Sequence, residues 1–194
     1  MKLLHIDSSA LGTHSASREL TGAIVDAWKR REPGLEVTCR DLAARPLPHW
    51  APVADSSDPA ARAGTEVLEE FLAADVVVIG APMYNFSVPS SLKAWIDRIL
   101  VAGRTFRYTA QGPEGLAGGR RVIVASTRGG FYGADSGRED FDFQEKYLRR
   151  VFGFIGITDV EFVRAEGLNI SPEQKAKALQ DAHAMIEERL LEAA

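Results

Sequence analysis

Met83, Tyr84, Asn85 and Phe86 follow directly on Gly80, Ala81 and Pro82, where an ordinary connection is small and soluble. One sulfur, two rings and an amide in four residues offer apolar and π contact, and the backbone adds hydrogen bonds for a ring edge. A second stretch, DSSALGTHSASR at residues 7–18, gathers Ser8, Ser9, Thr13, Ser15 and Ser17 around Gly12. Hydroxyl donors just ahead of a helix N-terminus, with its free N–H groups and dipole, can bind a phosphate without a lysine. Ser15 or Ser17 alone reads as a helix N-cap. Five hydroxyls within eleven residues read as a phosphate site. A third stretch, Thr127, Arg128, Gly129, Gly130 and Phe131, carries paired glycines that admit close approach of backbone to a ligand. By themselves those glycines are a plain turn, and their weight comes from position.

The elements that must position these stretches alternate regularly. Residues 3–6 read as a first strand and 17–31 as a helix, with Leu20, Ile24 and Trp28 spaced along its core face. Residues 36–42 form a second strand, 45–59 a long Pro-, Ser- and Asp-rich loop, and 60–72 a helix with Val67, Leu68, Phe71 and Leu72 inward. Val76 to Ile79 is a β-branched run that reads as a strand buried on both faces, ended by Gly80, Ala81 and Pro82. Leu92, Ile96, Ile99 and Leu100 stripe the helix after Pro89. Residues 105–108 read as a short extended piece and 111–119 as turns; 121–126 is strand four, 141–154 a helix and 160–163 strand five. Ser171, Pro172 and Glu173 start a last helix with Leu179, Ala182, Ile186 and Leu190 on one face. Five strands alternating with helices predict an α/β fold, a doubly wound parallel sheet with helices on both faces; in the flavodoxin-like strand order 2-1-3-4-5, the ends of strands one, three and four cluster at the switch point. One domain spans residues 1–194. In such sheets ligands bind at the carboxyl ends of the strands. The three stretches follow strands one, three and four, so they meet there.

Composition narrows the function. Hydrophobic residues at 45% and charged residues at 26% describe a globular chain, and a net charge of −4 gives no support for nucleic-acid binding. No apolar run is long enough to span a bilayer, and MKLLHIDSS reads as a strand rather than a signal peptide, so a cytoplasmic protein without membrane partners is expected. Cys39 is the single cysteine, suits a reducing compartment and reads as structural. His5 reads as a core or interface residue, His14 lies in the serine-rich loop, and His49 and His183 have no ligand-spaced partners, so no metal site is expected. The triphosphate-binding GxxxxGK[ST], the dinucleotide GxGxxG after strand one and the GxSxG nucleophile elbow are absent.

The segments SSALGTHSAS, APMYNFSVPSSLKAWID, TFRYTAQGPEGL, TRGG and FGFIGITDV together resemble the FMN-dependent NADH-azoreductase family, the acyl-carrier-protein phosphodiesterase-like flavoproteins, from strand one to at least Gly167. The resemblance implies a homodimer with one non-covalent FMN per subunit. It implies that Ser9, Ser15, Ala16 and Ser17 hold the flavin phosphate. It places Met83, Tyr84, Asn85, Phe86, Thr127, Arg128, Gly129 and Gly130 at the isoalloxazine ring. Thr127 stands where the family has serine and keeps the hydroxyl. The 45–59 loop lacks an obvious match and borders the substrate pocket. Tyr108, Phe131 and Phe152 or Phe154 wall that pocket, some of them from the partner subunit. The implied chemistry is ping-pong: NADH gives a hydride to flavin N5 and leaves, then a quinone or azo compound takes two electrons. No residue acts as acid or base, because the cofactor carries the reaction.

Two other classes stay open at this point. A flavodoxin-like electron carrier docks on proteins, but carriers commonly steer with a strongly charged face, which −4 does not supply. A non-catalytic flavin-binding interaction protein lacks turnover. NADH oxidation with a soluble quinone separates all three. Trp95 and Phe106, set among apolar residues, read as an exposed patch that marks the dimer interface.

Overall fold

The computed structural model describes residues 1–52, 55 and 57–192, and of these it leaves the side chains of 190–192 undescribed. The Leu190 side chain and part of the 45–59 loop therefore lie outside the described structure. The strands β1 (Lys2–Asp7), β2 (Glu36–Asp41), β3 (Val76–Pro82), β6 (Arg121–Thr127) and β7 (Asp159–Ala165) form one parallel sheet in the order β2-β1-β3-β6-β7. A separate antiparallel hairpin, β4 (Phe106–Thr109) with β5 (Gly112–Gly115), accounts for the shift in numbering from 2-1-3-4-5. The helices are α1 (Ala16–Arg31), α2 (Pro59–Ala73), α3 (Ser90–Ile99), α4 (Phe143–Phe154) and α5 (Pro172–Glu192).

Each sheet face carries its own core. Leu3, Val76, Val78, Ile123, Ala125 and Val163 pack with Leu20, Ile24 and Trp28 of α1 and with Ala182 and Ile186 of α5. Leu4, Ile6, Val77, Ile79, Val122 and Val124 pack with Phe71, Leu92, Trp95, Ile96, Leu148 and Phe152. β3 is buried at every residue because β1 and β6 flank it and helices cover both faces. That answers the continuous apolar run, and it carries the strand past its expected end. Gly80, Ala81 and Pro82 stay in register with Ala125, Ser126 and Thr127.

The hairpin is the larger departure from expectation. GPEG has turn composition, yet it pairs residue by residue with FRYT. Gly115 explains how it docks: a Cβ there would lie 2.1 Å from the Gly156 backbone nitrogen, and Gly156 itself has φ +90°. Two chain segments meet backbone to backbone, which only glycine permits. The hairpin docks against the end of α4, where Phe106 meets Phe154. Trp95, edge-on to Phe71 of α2, is fully buried and Phe106 9% exposed, so neither forms the surface patch expected of them. α4 begins two residues later than expected, because Asp142 caps it by accepting from the Glu145 N–H at 2.9 Å. Among the described residues no helix is long and apolar enough to cross a membrane.

Candidate functional site

The carboxyl ends of β1, β3, β6 and β7 open into one cleft of about 140 Å³. Ser9, Leu11, His14, Ser15 and Ala16 line it from the first loop, Pro82, Met83 and Tyr84 from the second, and Thr127, Arg128 and Gly129 from the third. Leu168, Asn169 and Lys175 complete the wall. Sequence reasoning passed over this fourth contribution, although the loop after strand five opens at the same end of the sheet. Ser17, Asn85, Phe86 and Gly130 stand beside the cleft rather than in its lining.

The first loop is built to present hydroxyls and amides. A single 3₁₀ turn, Gly12–His14, delivers Ser15 as the N-cap of α1. Ser15 Oγ accepts from the Arg18 N–H at 3.3 Å and lies 3.0 Å from Ser17 Oγ. The capping role and the cleft-lining role thus fall on the same serine. Ser8 is spent structurally, donating to the Gly80 carbonyl at 2.6 Å. Arg18 fixes the loop from outside: its guanidinium donates to Asp41 at 2.7 and 2.8 Å and to the Ser9 carbonyl at 3.0 Å. The hydrogen bond from Arg18 holds the Asp41 carboxyl down at about 2.

The second loop is a two-residue turn closed by reciprocal Tyr84–Ser87 backbone hydrogen bonds, both 3.0 Å. Asn85 and Phe86 have φ +48° and +70°, the left-handed pair that a type I′ turn requires. Asn tolerates that region; a bulky ring there is strained. Phe86 is held by contacts with Tyr132 and Phe141, at centroid distances of 6.2 and 5.7 Å, and its carbonyl accepts the Phe143 N–H. We expect Phe86→Gly to raise apo-protein stability by about 1 kcal/mol through strain relief. A thermal melt beside the parent checks this, and a lower melting temperature would show that the ring contacts outweigh the strain. Tyr84 ties this loop to the first, its hydroxyl 3.3 Å from Ser9 Oγ and accepting the Ala10 N–H at 3.2 Å.

Two residues of the third loop that line the cleft also have partners behind it. Arg128 is 1% exposed, and its guanidinium contacts Asp142 at 2.9 Å, Glu145 at 3.2 Å, Glu166 at 3.0 Å and Ser126 at 3.1 Å. Its charge is fully engaged inside the protein, so the side chain braces the loop instead of reaching for a ligand. At Gly129 a Cβ would meet the Asn169 side-chain nitrogen at 2.6 Å, and the Gly129 carbonyl accepts the Asn169 N–H. A larger residue there would have to push the Asn169 side chain aside. Gln144 links the second and third loops from below, accepting from Ser126 Oγ and donating to the Ala81 carbonyl.

None of Tyr108, Phe131, Phe152 and Phe154 lines the cleft in this chain. Phe152 is fully buried in the core, on the inward stripe of α4 with Leu148 and Val151, and so cannot wall a pocket. Phe154 packs against Phe106 with ring centroids 4.8 Å apart, and Tyr108 stands 75% exposed on the hairpin. Phe131 lines a separate hollow with Arg138, Glu166 and Ile170. Among the described residues there is no cluster able to hold a metal ion.

A cleft with hydroxyls and a helix N-terminus at one end, and Met83 and Tyr84 at the other, suits a molecule that is anionic at one end and flat at the other. Residues 1–190 match a family model described as having a flavodoxin-like fold. The chain is 58% identical over 190 residues, 97% of its length and 96% of the relative's, to FMN-dependent NADH:quinone oxidoreductase 1 of Xanthomonas axonopodis pv. citri (strain 306). It is 57% identical to FMN-dependent NADH:quinone oxidoreductase 2 of Bradyrhizobium diazoefficiens, covering 94% of this chain and 95% of that one. It is similar in structure to the FMN-dependent NADH-azoreductase of Bacillus anthracis str. Ames Ancestor in complex with FMN. The TM-score is 0.89 at 28% identity, covering 100% of this chain and 99% of that one.

Proposed function

The chain belongs to the family with the flavodoxin-like fold, and on that premise we propose that it is an FMN-dependent NADH:quinone oxidoreductase, active also on azo compounds. The observation that carries the reading is the cleft itself. Hydroxyls of Ser9 and Ser15 and the open first turn of α1 stand across from Met83, Tyr84, Thr127 and Gly129 at the carboxyl ends of three adjacent strands.

The donor set fits FMN. Ser9, Ser15 and the Ala16 and Ser17 amides receive the phosphate, helped by the helix dipole. Met83 and Tyr84 provide apolar and ring contact, while the Asn85–Phe86 turn holds them in place. Bound FMN supplies two-electron redox chemistry, with NADH as donor and a quinone or azo compound as acceptor. The protein binds, orients and shields, which fits a cleft whose lining includes no Asp or Glu among the described residues.

The protein acts as a homodimer of single-domain subunits in this reading. In this reading Tyr108, exposed on the docked hairpin and packed edge-on to Phe106, reaches into a partner's cleft. The exposed free thiol of Cys39 suits a cytoplasmic setting.

Purified protein is expected to be yellow and to release FMN rather than FAD. Anaerobic NADH should bleach it, and menadione or a simple azo dye should restore the colour, with parallel double-reciprocal plots. A colourless protein that takes up no added FMN would end this reading. Reoxidation only by a partner protein would make it a carrier.

A further inference from the structure

We infer that Lys175 is a phosphate-binding residue of the FMN site, an inference that rests on the flavoprotein reading above. Lys175 lines the same cleft as His14, Ser15 and Ala16. Three side chains able to carry positive charge line that cleft: His14, Arg128 and Lys175. Arg128 is committed to Asp142, Glu145 and Glu166. Lys175 is exposed and has no carboxylate within ion-pair distance among the described residues, and no acidic residue shares the lining.

Its place on α5 is informative. Ser171 begins the helix: its Oγ accepts the Gln174 N–H and its carbonyl accepts the Lys175 N–H. Lys175 therefore sits in the first turn, where the helix dipole disfavours a cation. An acidic or neutral side chain would serve α5 better. A dianion bound at the start of the neighbouring helix reverses that preference, because α1 and α5 pack side by side on one face of the sheet. The serine hydroxyls and amides supply directional hydrogen bonds to the phosphate. The ammonium supplies the net charge that they lack.

The test sets the ligand's phosphate against the lysine. Affinities for FMN and for riboflavin, which lacks the phosphate, are measured on apo-protein by flavin fluorescence quenching, for the parent, Lys175→Met and Lys175→Arg. Lys175→Met is expected to raise the FMN dissociation constant about tenfold and to leave riboflavin unchanged. Lys175→Arg should keep most of the preference for FMN, and the parent's preference should shrink with added salt. The apo melting temperature of Lys175→Met should not fall, since the side chain is exposed and a cation in the first turn of α5 is unfavourable without the phosphate. Equal losses for both flavins, or no loss for either, overturn the inference while leaving the flavoprotein reading intact. A parent protein that binds neither flavin removes both.

Discussion

Replacing Arg128 with Met is expected to lower the apo-protein's melting temperature by roughly 10 °C and to loosen FMN binding at the same time. The guanidinium is 1% exposed and surrounded by Asp142, Glu145 and Glu166. Removing one member of a buried ionic network leaves the others desolvated and unpaired, at a cost of about 3–5 kcal/mol. For a chain of this size each kcal/mol moves the transition by roughly 2–4 °C. Glu145 keeps Arg149 and Arg164 as partners, and those cations hold its carboxyl below the ordinary range against the upward pull of burial. Asp142 and Glu166 have no such reserve among the described ion pairs. Asp142 caps α4, and Glu166 accepts the Tyr132 N–H at 2.9 Å. The damage therefore spreads to the turn after Gly129 and Gly130 and to the loop carrying Asn169. Lys at the same position restores charge without the planar fork and should recover only part of the loss. Paired measurements of apo melting and FMN affinity decide the matter. An unchanged melting temperature would mean that the network contributes little.

That arginine also shows where sequence reading stops. A charged residue beside two glycines in a loop at the end of a strand invites a ligand-binding role. Nothing local announces that Asp142, Glu145 and Glu166, from a later helix and the end of a later strand, will close around it. Lys175 fails in the opposite direction, since a lysine among other charged residues on an amphipathic helix reads as solvated surface. The alternation of strands and helices was readable because β-branched runs and 3.6-residue stripes are local signals. Strand ends were not, because Gly80 to Pro82 stay extended through pairing with Ala125 to Thr127 of β6. The hairpin was hidden for the same reason: GPEG is held by pairing with FRYT and by the Gly115–Gly156 contact, both tertiary. Once it docks, Phe106 changes from apparent surface to core, while Trp95 is buried against Phe71 of α2. The clustering of the three loops was legible, because strand order fixes which carboxyl ends lie together.

Ser15→Ala is expected to weaken FMN binding by about 10- to 100-fold, the value of one hydrogen bond to a charged group, about 1.5–3 kcal/mol. The structure separates Ser15 from Ser17. Ser15 lines the cleft, whereas Ser17 is 1% exposed and stands beside it. Their hydroxyls lie 3.0 Å apart, and Ser15 Oγ already accepts the Arg18 N–H. With Ser17 donating to Ser15, both lone pairs of Ser15 are filled and its own proton is free to point into the cleft. Ser17 then acts by orienting Ser15. Ser17→Ala should cost less than Ser15→Ala, and the double variant should cost little more than Ser15→Ala alone, because the second serine works through the first. Capping adds a separate signature: Ser15→Ala removes the N-cap and should lower apo stability by about 1 kcal/mol. Ser15→Asp distinguishes the two duties of this serine. It restores the cap while placing a negative charge against a dianion, so apo stability should recover as FMN affinity falls further. If FMN affinity instead tracks apo stability across all four variants, Ser15 serves the helix alone, and the phosphate must be held by the Ala16 and Ser17 amides and by Ser9.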